Sequence, residues 1–297
     1  MENILPFGGK TMIFGGDFRK VLSVVKRGSK ASQIAASISR STFWHCVQII
    51  HLQENMRSAQ DMEFSQFLLR EGDGLQHTVN EDFIKLPDSI IIPWEGEQSI
   101  HQLIDSVFPN MIDHVNDANY MVGRAIITPK NVDVDTINEL LIRKFPGEER
   151  EYTSWDSVSD DNHNLFQEEF LNSLSPSGLP PHRIILKVGS PIMLLRNVAP
   201  ELGLCNGTIL ICRNLGRNFI DAEIITDPYK TQGQTIPNIG IFLRNHVFSN
   251  GQLYVALSRG VSQNSTKIFV KDGKLERRSG VYTRNVAFKD VLLPNRG

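Results

Sequence analysis

Two segments near the carboxyl end of the chain carry side chains suited to binding phosphate. The first, Lys230–Thr235, is a small-residue turn rich in amides and hydroxyls, in which Gly233 allows a ligand to approach closely. The second, Gly251–Arg259, is a short apolar run that ends in a Ser–Arg pair. An arginine at that place can donate two parallel hydrogen bonds to a phosphate, because its guanidinium is forked and always charged. Both segments therefore predict contact with a phosphorylated ligand.

Two further segments place charged side chains directly after apolar runs. Gly15–Lys20 puts a carboxylate and two cations beyond Thr11–Phe14, a run that predicts a buried strand ending in a tight turn. Asn55–Arg57 follows a second β-rich run, Val47–Leu52. Taken alone, a turn with a capping aspartate and an exposed arginine beside a helix would also explain these segments. A function can be assigned to these two segments only by considering them together with the other motifs of the chain.

The amino-terminal GGKT, Gly8–Thr11, does not match a P-loop. That phosphate cradle has the form G-x-x-x-x-G-K-[ST] and is followed by a helix whose amino end faces the phosphates. Here Ile4 stands where the first glycine should be, and the residues after Thr11 favour a strand. This segment therefore predicts no phosphate site.

The composition is that of an ordinary globular protein with room for two domains. The 297 residues are 40% hydrophobic and 22% charged, with a formal net charge of -2. Nucleic-acid binding would therefore depend on a local groove rather than on a generally basic surface. No secretory signal or membrane-length apolar run is visible, so we expect an intracellular protein without a membrane partner. Cys46, Cys205 and Cys212 form no CxxC pair, which predicts packed thiols and no metal site.

Helical and strand signals alternate through the first half of the chain. Apolar spacing predicts helices over Ser58–Arg70, near Ile100–Phe108, and from Asn131 or Asp133 through Leu141. Ala125–Pro129 favours a strand, and polar Tyr152–Pro181 favours a surface excursion.

From residue 184 the pattern becomes all-β. Turn residues separate four runs of β-formers, which predicts a small barrel-like module. The runs are Ile184–Val188, Pro191–Leu195, Gly207–Cys212 and Phe219–Ile225. A last strand is expected at Thr266–Val270.

Taken together, the motifs resemble those of superfamily-one DNA helicases of the PIF (petite integration frequency) type and their relatives in Helitron transposons. Lys230–Thr235 and Gly251–Arg259 are similar to the last two motifs of that family, in the right order and at a fitting distance. Gly16–Lys20 resembles its third motif, with Lys20 where the family has glutamine. The resemblance extends from Phe7 to about Lys271.

The resemblance implies roles for individual residues. Arg57 and Arg259 would reach the nucleotide γ-phosphate from across an interdomain cleft, and Asp17 and Lys20 would couple the nucleotide to DNA. Gly233 and Gln234 would contact the nucleotide. The residues implied to contact DNA are Lys230, Thr231, Gln232, Thr235 and Ser258.

The resemblance also implies an α/β architecture, with part of a first RecA-like domain and a second RecA-like domain that contains an inserted small β-barrel. The family activity is ATP- and Mg²⁺-dependent 5′ to 3′ unwinding of DNA, acting on single strands, in nuclear or mitochondrial repair, recombination and telomere maintenance. The expected divisions are 1–58 (end of the first domain), 59–119 (connector), 120–150 (start of the second), 151–182 (excursion), 183–226 (barrel) and 227–297 (remainder and tail).

Two features depart from the family pattern. The P-loop and the acidic pair that holds Mg²⁺ do not precede Gly8, which predicts a truncated motor without ATPase activity of its own. Ile225 is followed almost directly by Lys230, which predicts that the strand leading into that motif is missing. A non-catalytic single-strand binding module and an inactive transposon-derived relic remain the alternatives.

Overall fold

A computed structural model of the chain describes residues 6–52, 54–115, 117–156, 167–174, 179–225 and 235–292. The chain forms two compact units, one of residues 1–99 with 241–297 and the other of residues 100–240. The finer domain divisions expected from the sequence remain predictions.

The α-helices are α1 Lys30–Ala35, α2 Met62–Gly72, α3 Gln98–Val107, α4 Ala118–Val122, α5 Asn131–Lys144, α6 Glu168–Ser173 and α7 Gln252–Leu257. The strands are β1 Thr78–Val79, β2 Phe83–Lys85, β3 Ile91–Ile92, β4 Arg124–Ile127, β5 Glu149–Thr153, β6 Arg183–Lys187, β7 Pro191–Met193, β8 Ile209–Leu215, β9 Ile220–Ile224, β10 Asn238–Leu243, β11 Thr266–Val270 and β12 Tyr282–Arg284. These elements confirm the α/β class.

The first unit has a sheet of order β3-β11-β10 at its centre. Strands β3 and β11 run parallel, with Ile268 opposite Ile91. Buried aromatic rings fill the face of this sheet, because Phe242 stacks on Phe269 at 5.2 Å between ring centroids. A second, antiparallel sheet of order β1-β2-β12 adds the buried side chains of Ile84 and Tyr282.

Helix α2 begins and ends where its sequence directs. The Asp61 carboxylate caps its first turn by accepting a hydrogen bond from the backbone N–H of Phe64 at 2.9 Å. Phe64, Phe67 and Leu68 are buried on one face of the helix. The predicted helix over Ser58–Arg70 is thus confirmed, starting four residues later and ending at Gly72.

The second unit contains the β-rich region expected from residue 184. Strand β8 pairs antiparallel with β7 and β9, and β5 pairs antiparallel with β6. The four predicted strands are therefore confirmed, whereas a closed barrel remains a prediction. The surface excursion predicted over Tyr152–Pro181 begins too early. Tyr152 lies in β5, and its hydroxyl donates to the backbone carbonyl of Gly216 at 2.8 Å.

Two strand predictions in the first unit are wrong. Thr11–Phe14 and Val47–Leu52 form no strand, and Ile13 and Leu52 are 93% and 96% exposed. Residues with high β propensity form a strand only when a neighbouring strand accepts their backbone hydrogen bonds. Within the described residues, neither run has such a neighbour.

Strand β10 was not expected from the sequence. It follows the Lys230–Thr235 motif instead of preceding it, and Ile239, Ile241 and Phe242 within it are buried. In the second unit, a Cβ at Gly240 would lie 2.8 Å from Cγ2 of Val107 and 3.1 Å from Cγ1 of Ile126. The glycine therefore permits α3 and β4 to pack closely against this strand.

Candidate functional site

Gly251 lets the turn before α7 contact the Gly16–Lys20 motif. Its backbone adopts the left-handed conformation, with φ of 66°. A Cβ at this position would lie 2.1 Å from the Arg19 carbonyl oxygen. The two motifs are far apart in sequence but meet through their backbones.

Arg19 connects the Gly16–Lys20 motif to the end of α2. Its Nε donates to Oδ1 of Asp73 at 2.7 Å, and its Nη2 donates to Oδ2 at 3.4 Å. The Arg19 backbone N–H donates to the Asp17 carboxylate at 3.0 Å, which shapes the turn. Burial alone would lower the pKa of Arg19, but the hydrogen bond and charge of Asp73 raise it.

Tyr254 links Asp17 to the helix that precedes Arg259. Its hydroxyl lies close enough to the Asp17 carboxylate to feel that negative charge. Burial first, and then the negative charge of Asp17, raise the pKa of the tyrosine hydroxyl. Gly72 leaves room for this arrangement, since a Cβ there would lie 2.7 Å from both the Arg19 stem and the Tyr254 ring.

Lys20 takes part through its backbone. Its carbonyl accepts a hydrogen bond from Nδ2 of buried Asn250 at 3.2 Å, while its side chain is exposed. Oδ1 of Asn250 accepts a hydrogen bond from the backbone N–H of Phe288 at 2.6 Å. Asn250 therefore holds the end of this motif against the carboxyl-terminal segment.

Arg57 reaches the turn that carries Arg259. Its Nη1 donates to the backbone carbonyl of Ser258 at 2.5 Å, and Oδ1 of Asn55 accepts from its backbone N–H at 3.1 Å. Burial, followed by the positive charge of Arg259, lowers the pKa of Arg57. The sequence predicted arginines that face each other across an interdomain cleft, but both belong to the first unit.

Arg259 is partly buried beside this like charge. Within the described residues, no carboxylate lies within ion-pair distance of its guanidinium. Like charges held close together disfavour each other's charged form, and an anion placed between them relieves that repulsion. The pair is thus suited to binding an anion with several oxygens, such as a phosphate.

Helix α2 also fixes the segment that carries Arg57. The Ser58 and Ser65 hydroxyls lie 2.6 Å apart, and both residues are buried. Oδ2 of Asp61 accepts a hydrogen bond from the backbone N–H of Gln263, beyond Arg259, at 2.8 Å. Although burial would raise the pKa of Asp61, hydrogen bonds from Gln263 and Phe64 lower it.

Asp61→Ala should destabilise the first unit by roughly 2 kcal/mol, because it removes both a helix cap and a charged hydrogen bond. Asp117→Ala is the control, since that carboxylate caps α4 through Tyr120 N–H and its only other partner is exposed His114, whose Nδ1 lies 4.0 Å away, and should cost roughly 1 kcal/mol. Urea denaturation measures both. Equal losses would show that the Gln263 bond contributes nothing.

A buried carboxylate lies beneath this site. Glu71 is 0% exposed, and neither of its carboxylate oxygens has a hydrogen-bond partner within the described residues. Burial raises the pKa of Glu71 to about 8, so the carboxyl is mostly neutral at pH 7. Its charge would act on Tyr254, and its backbone carbonyl accepts from Nδ2 of Asn285 at 2.8 Å.

The structure thus brings together Asp17, the Lys20 backbone, Arg57, Ser258 and Arg259. Thr235 is exposed in the range of the second unit. The other predicted contacts, Lys230, Thr231, Gln232, Gly233 and Gln234, lie outside the described residues.

Sequence reasoning missed the residues that position the site. Asp73, Asn250 and Asp61 carry its hydrogen bonds, Tyr254 lies beside Asp17, and only Tyr254 lay within a recognised motif. No motif marked the other three. An acidic residue at each end of a predicted helix was the available signal for Asp61 and Asp73.

In the described part of the chain there is no group of three or more side chains that could hold a metal ion. The same residues include no helix of the length and apolarity that crossing a membrane requires.

The fold of the chain is that of solved helicase structures. The crystal structure of Pif1 helicase from Candida albicans superimposes with a TM-score of 0.56, at 20% identity over 90% of this chain and 65% of that one. A Bacteroides Pif1 helicase in complex with ADP-AlF3 and ssDNA gives a TM-score of 0.52, at 18% identity over 98% of this chain and 66% of that one. At these identities the likeness establishes a shared fold.

At the level of sequence, the chain is similar to helicases of the PIF type. Residues 1–82 match the PIF1-like helicase family, and residues 169–215 match the 2B domain of DNA helicase Pif1. The ATP-dependent DNA helicase PIF1 of Danio rerio is 24% identical over 308 residues, which cover 91% of this chain and 42% of that protein. The chain spans less than half the length of the curated relatives it matches. The predicted resemblance to PIF-type helicases is confirmed.

Proposed function

We propose that this chain is part of the motor of an ATP-dependent PIF-type DNA helicase, the part that brings two arginines to the nucleotide phosphates. The observation that supports this most strongly is the meeting of Arg57 with the Ser258–Arg259 turn. In phosphoryl transfer, such arginines neutralise charge that spreads over the phosphoryl oxygens in the transition state.

The surrounding residues would hold the arginines in place. Tyr254 lies beside Asp17 on the helix that leads to Arg259, and Gly251 before this helix contacts the backbone of Arg19, so a shift of the Gly16–Lys20 motif would be transmitted to that helix. Both arginines are suited to ATP phosphates, because their adjacent positive charges favour an anion with several oxygens. Mg²⁺, when bound, supplies further neutralisation of phosphate oxygens. No described residue cluster suits this ion, so we assign it no ligand here.

Single-stranded DNA is the proposed nucleic-acid partner, since the Bacteroides helicase with the same fold is in complex with ssDNA. Lys230, Thr231, Gln232, Thr235 and Ser258 would contact its backbone, and Gly233 and Gln234 the nucleotide. Unwinding in the 5′ to 3′ direction, and roles in repair, recombination and telomere maintenance in the nucleus or mitochondrion, are proposed from the family resemblance. A Helitron origin also remains a proposal.

The 297 residues tested alone should show no ATP hydrolysis, with or without oligo-dT. The sequence contains no G-x-x-x-x-G-K-[ST], and catalysis requires the phosphate cradle and the arginines to act as a unit. Phosphate release measured with purified protein tests this. Hydrolysis that oligo-dT stimulates and that Arg259→Ala abolishes would show that the chain holds a complete site.

The same preparation separates the alternatives. Salt-dependent binding of oligo-dT that ATP does not alter would identify a non-catalytic single-strand binding module. A chain that neither unfolds cooperatively nor binds DNA would be an inactive relic.

A further inference from the structure

A loop of the first unit carries several exposed cations that belong to none of the motifs described above. This basic loop, residues 271–281, joins β11 to β12, and Lys274, Arg277 and Arg278 within it are exposed. In the described part of the chain, none of these three side chains has an ion pair or a hydrogen bond. Four cations (Lys271, Lys274, Arg277 and Arg278) and two carboxylates (Asp272 and Glu276) give residues 271–281 a net charge of +2, whereas the whole chain has a formal charge of -2.

The loop has a defined conformation. Its ends are joined because the Tyr282 backbone N–H donates to the Gly273 carbonyl at 2.7 Å. Inside it, the Arg278 backbone N–H donates to the Leu275 carbonyl at 3.2 Å, and the Tyr282 hydroxyl donates to the Ser279 carbonyl at 3.2 Å. Cations on a fixed loop lose less conformational entropy on binding than cations on a mobile one.

Two further lysines lie at this surface but are already paired with carboxylates, Lys271 with Glu97 at 3.9 Å and Lys85 with Asp88 at 3.5 Å. The Lys271 ammonium lies 5.4 Å from the centre of the Trp94 ring, and the Lys85 side chain lies against Gly280. Arg277 has φ of 60°, a left-handed conformation that costs a non-glycine residue roughly 1 kcal/mol. The loop retains this strained residue while presenting its side chain to solvent.

We propose that the basic loop binds the phosphodiester backbone of DNA, as a contact surface distinct from Lys230–Thr235 and from the arginine pair. Exposed lysine and arginine side chains bind backbone phosphates and release condensed counterions, whatever the base sequence. The choice of DNA as the polyanion rests on the proposed function, whereas the charge and rigidity of the loop do not.

The test compares two triple variants of the full 297-residue chain in binding labelled oligo-dT and a duplex of equal length. Lys274→Gln/Arg277→Gln/Arg278→Gln removes the loop cations. The matched control, Lys10→Gln/Lys26→Gln/Arg27→Gln, removes equal charge from exposed positions and also includes an arginine at positive φ, 57°. Fluorescence anisotropy between 50 and 200 mM salt, roughly the range over which phosphate contacts dominate, gives affinity and its salt dependence.

The loop variant should lose about tenfold or more in affinity at low salt, and its log–log salt slope for oligo-dT should decrease by about 2, as loss of three phosphate contacts requires. The control should change by less than about threefold. The duplex arm shows whether the loop binds single strands, duplex or both. Equal losses in the two variants, or no loss in the loop variant, would overturn the proposal.

A third variant separates this proposal from the proposed function. Thr231→Ala/Thr235→Ala removes hydroxyls of the proposed single-strand contact. If only this variant loses oligo-dT binding, the loop proposal fails and the proposed function stands. If only the loop variant loses binding, the loop proposal stands and the proposed DNA contact of Lys230–Thr235 fails. A chain that binds neither oligonucleotide overturns the loop proposal, while triphosphate binding by the arginines still tests the nucleotide part of the proposed function.

Discussion

Replacing Gly251 by alanine is expected to lower the free energy of unfolding of the first unit by roughly 3–5 kcal/mol, because a side chain here meets fixed backbone and not a flexible neighbour. The added Cβ would lie 2.1 Å from the Arg19 carbonyl oxygen and 2.7 Å from the Lys20 carbonyl carbon. Relief requires the Gly16–Lys20 motif to separate from α7. Denaturant unfolding measures the loss, and proteolysis near residue 20 reports the separation.

Gly8→Ala provides the control for backbone strain. Gly8 has nearly the same φ, 65°, and a Cβ added there would have nothing within 4 Å, so its substitution should cost only about 1 kcal/mol. If the two variants lost equal stability, the contact between Gly251 and Arg19 would be absent in solution.

Glu71→Gln is expected to stabilise the protein, by an amount that grows with pH. The Glu71 pKa is raised by burial from 4.5 to about 8. A buried neutral Glu71 makes its full contribution to the free energy of unfolding below pH 4.5. This contribution is lost progressively as the pH rises from 4.5 to about 8. At pH 7 the loss is on the order of 3 kcal/mol, and glutamine, which cannot ionise, avoids it.

Glu63→Gln tests whether the pH-dependent stabilisation expected for Glu71→Gln is caused by the burial of that side chain. Glu63 lies in the first turn of the same helix but is exposed. Unfolding free energies measured from pH 5 to 8 should diverge from wild type for Glu71→Gln and run parallel to it for Glu63→Gln. Parallel profiles for both variants would mean that water or a cation reaches Glu71.

The elements predicted best were those in which local signals and burial agree. Thr266–Val270 was predicted as a strand and forms β11 with the same bounds, because its β-formers lie in the centre of a sheet. Helix α5 was also predicted, from the spacing of apolar residues such as Ile137, which is buried. In these cases the periodicity reflects the real environment.

The wrong or missing secondary-structure predictions have a common cause, because the apolar character of a segment does not specify which strand or helix it packs against. Thr11–Phe14 and Val47–Leu52 have strand composition but no pairing neighbour among the described residues. Residues 252–257 are a short apolar run that periodicity could not assign, and they form α7. Tertiary pairing decides these segments.

The motifs of the site could be predicted from the sequence, but the contacts between them could not. Arg57 and Arg259 were identified from family resemblance, and their meeting depends on α2, which no motif marks. Glu71 could not be identified, because an acidic residue near the end of a helix is normally exposed.

The most direct test of the paired-arginine site is a tripolyphosphate titration of the chain with ¹⁵N-labelled arginine. The Nε–Hε signals of Arg57 and Arg259, assigned with Arg57→Lys and Arg259→Lys, should shift together with a single dissociation constant, and either substitution should weaken binding at the other arginine. The Arg19 signal, held by Asp73, should move little. If the two signals respond independently, or neither responds while Arg277 and Arg278 do, then Arg57 and Arg259 do not form one phosphate site.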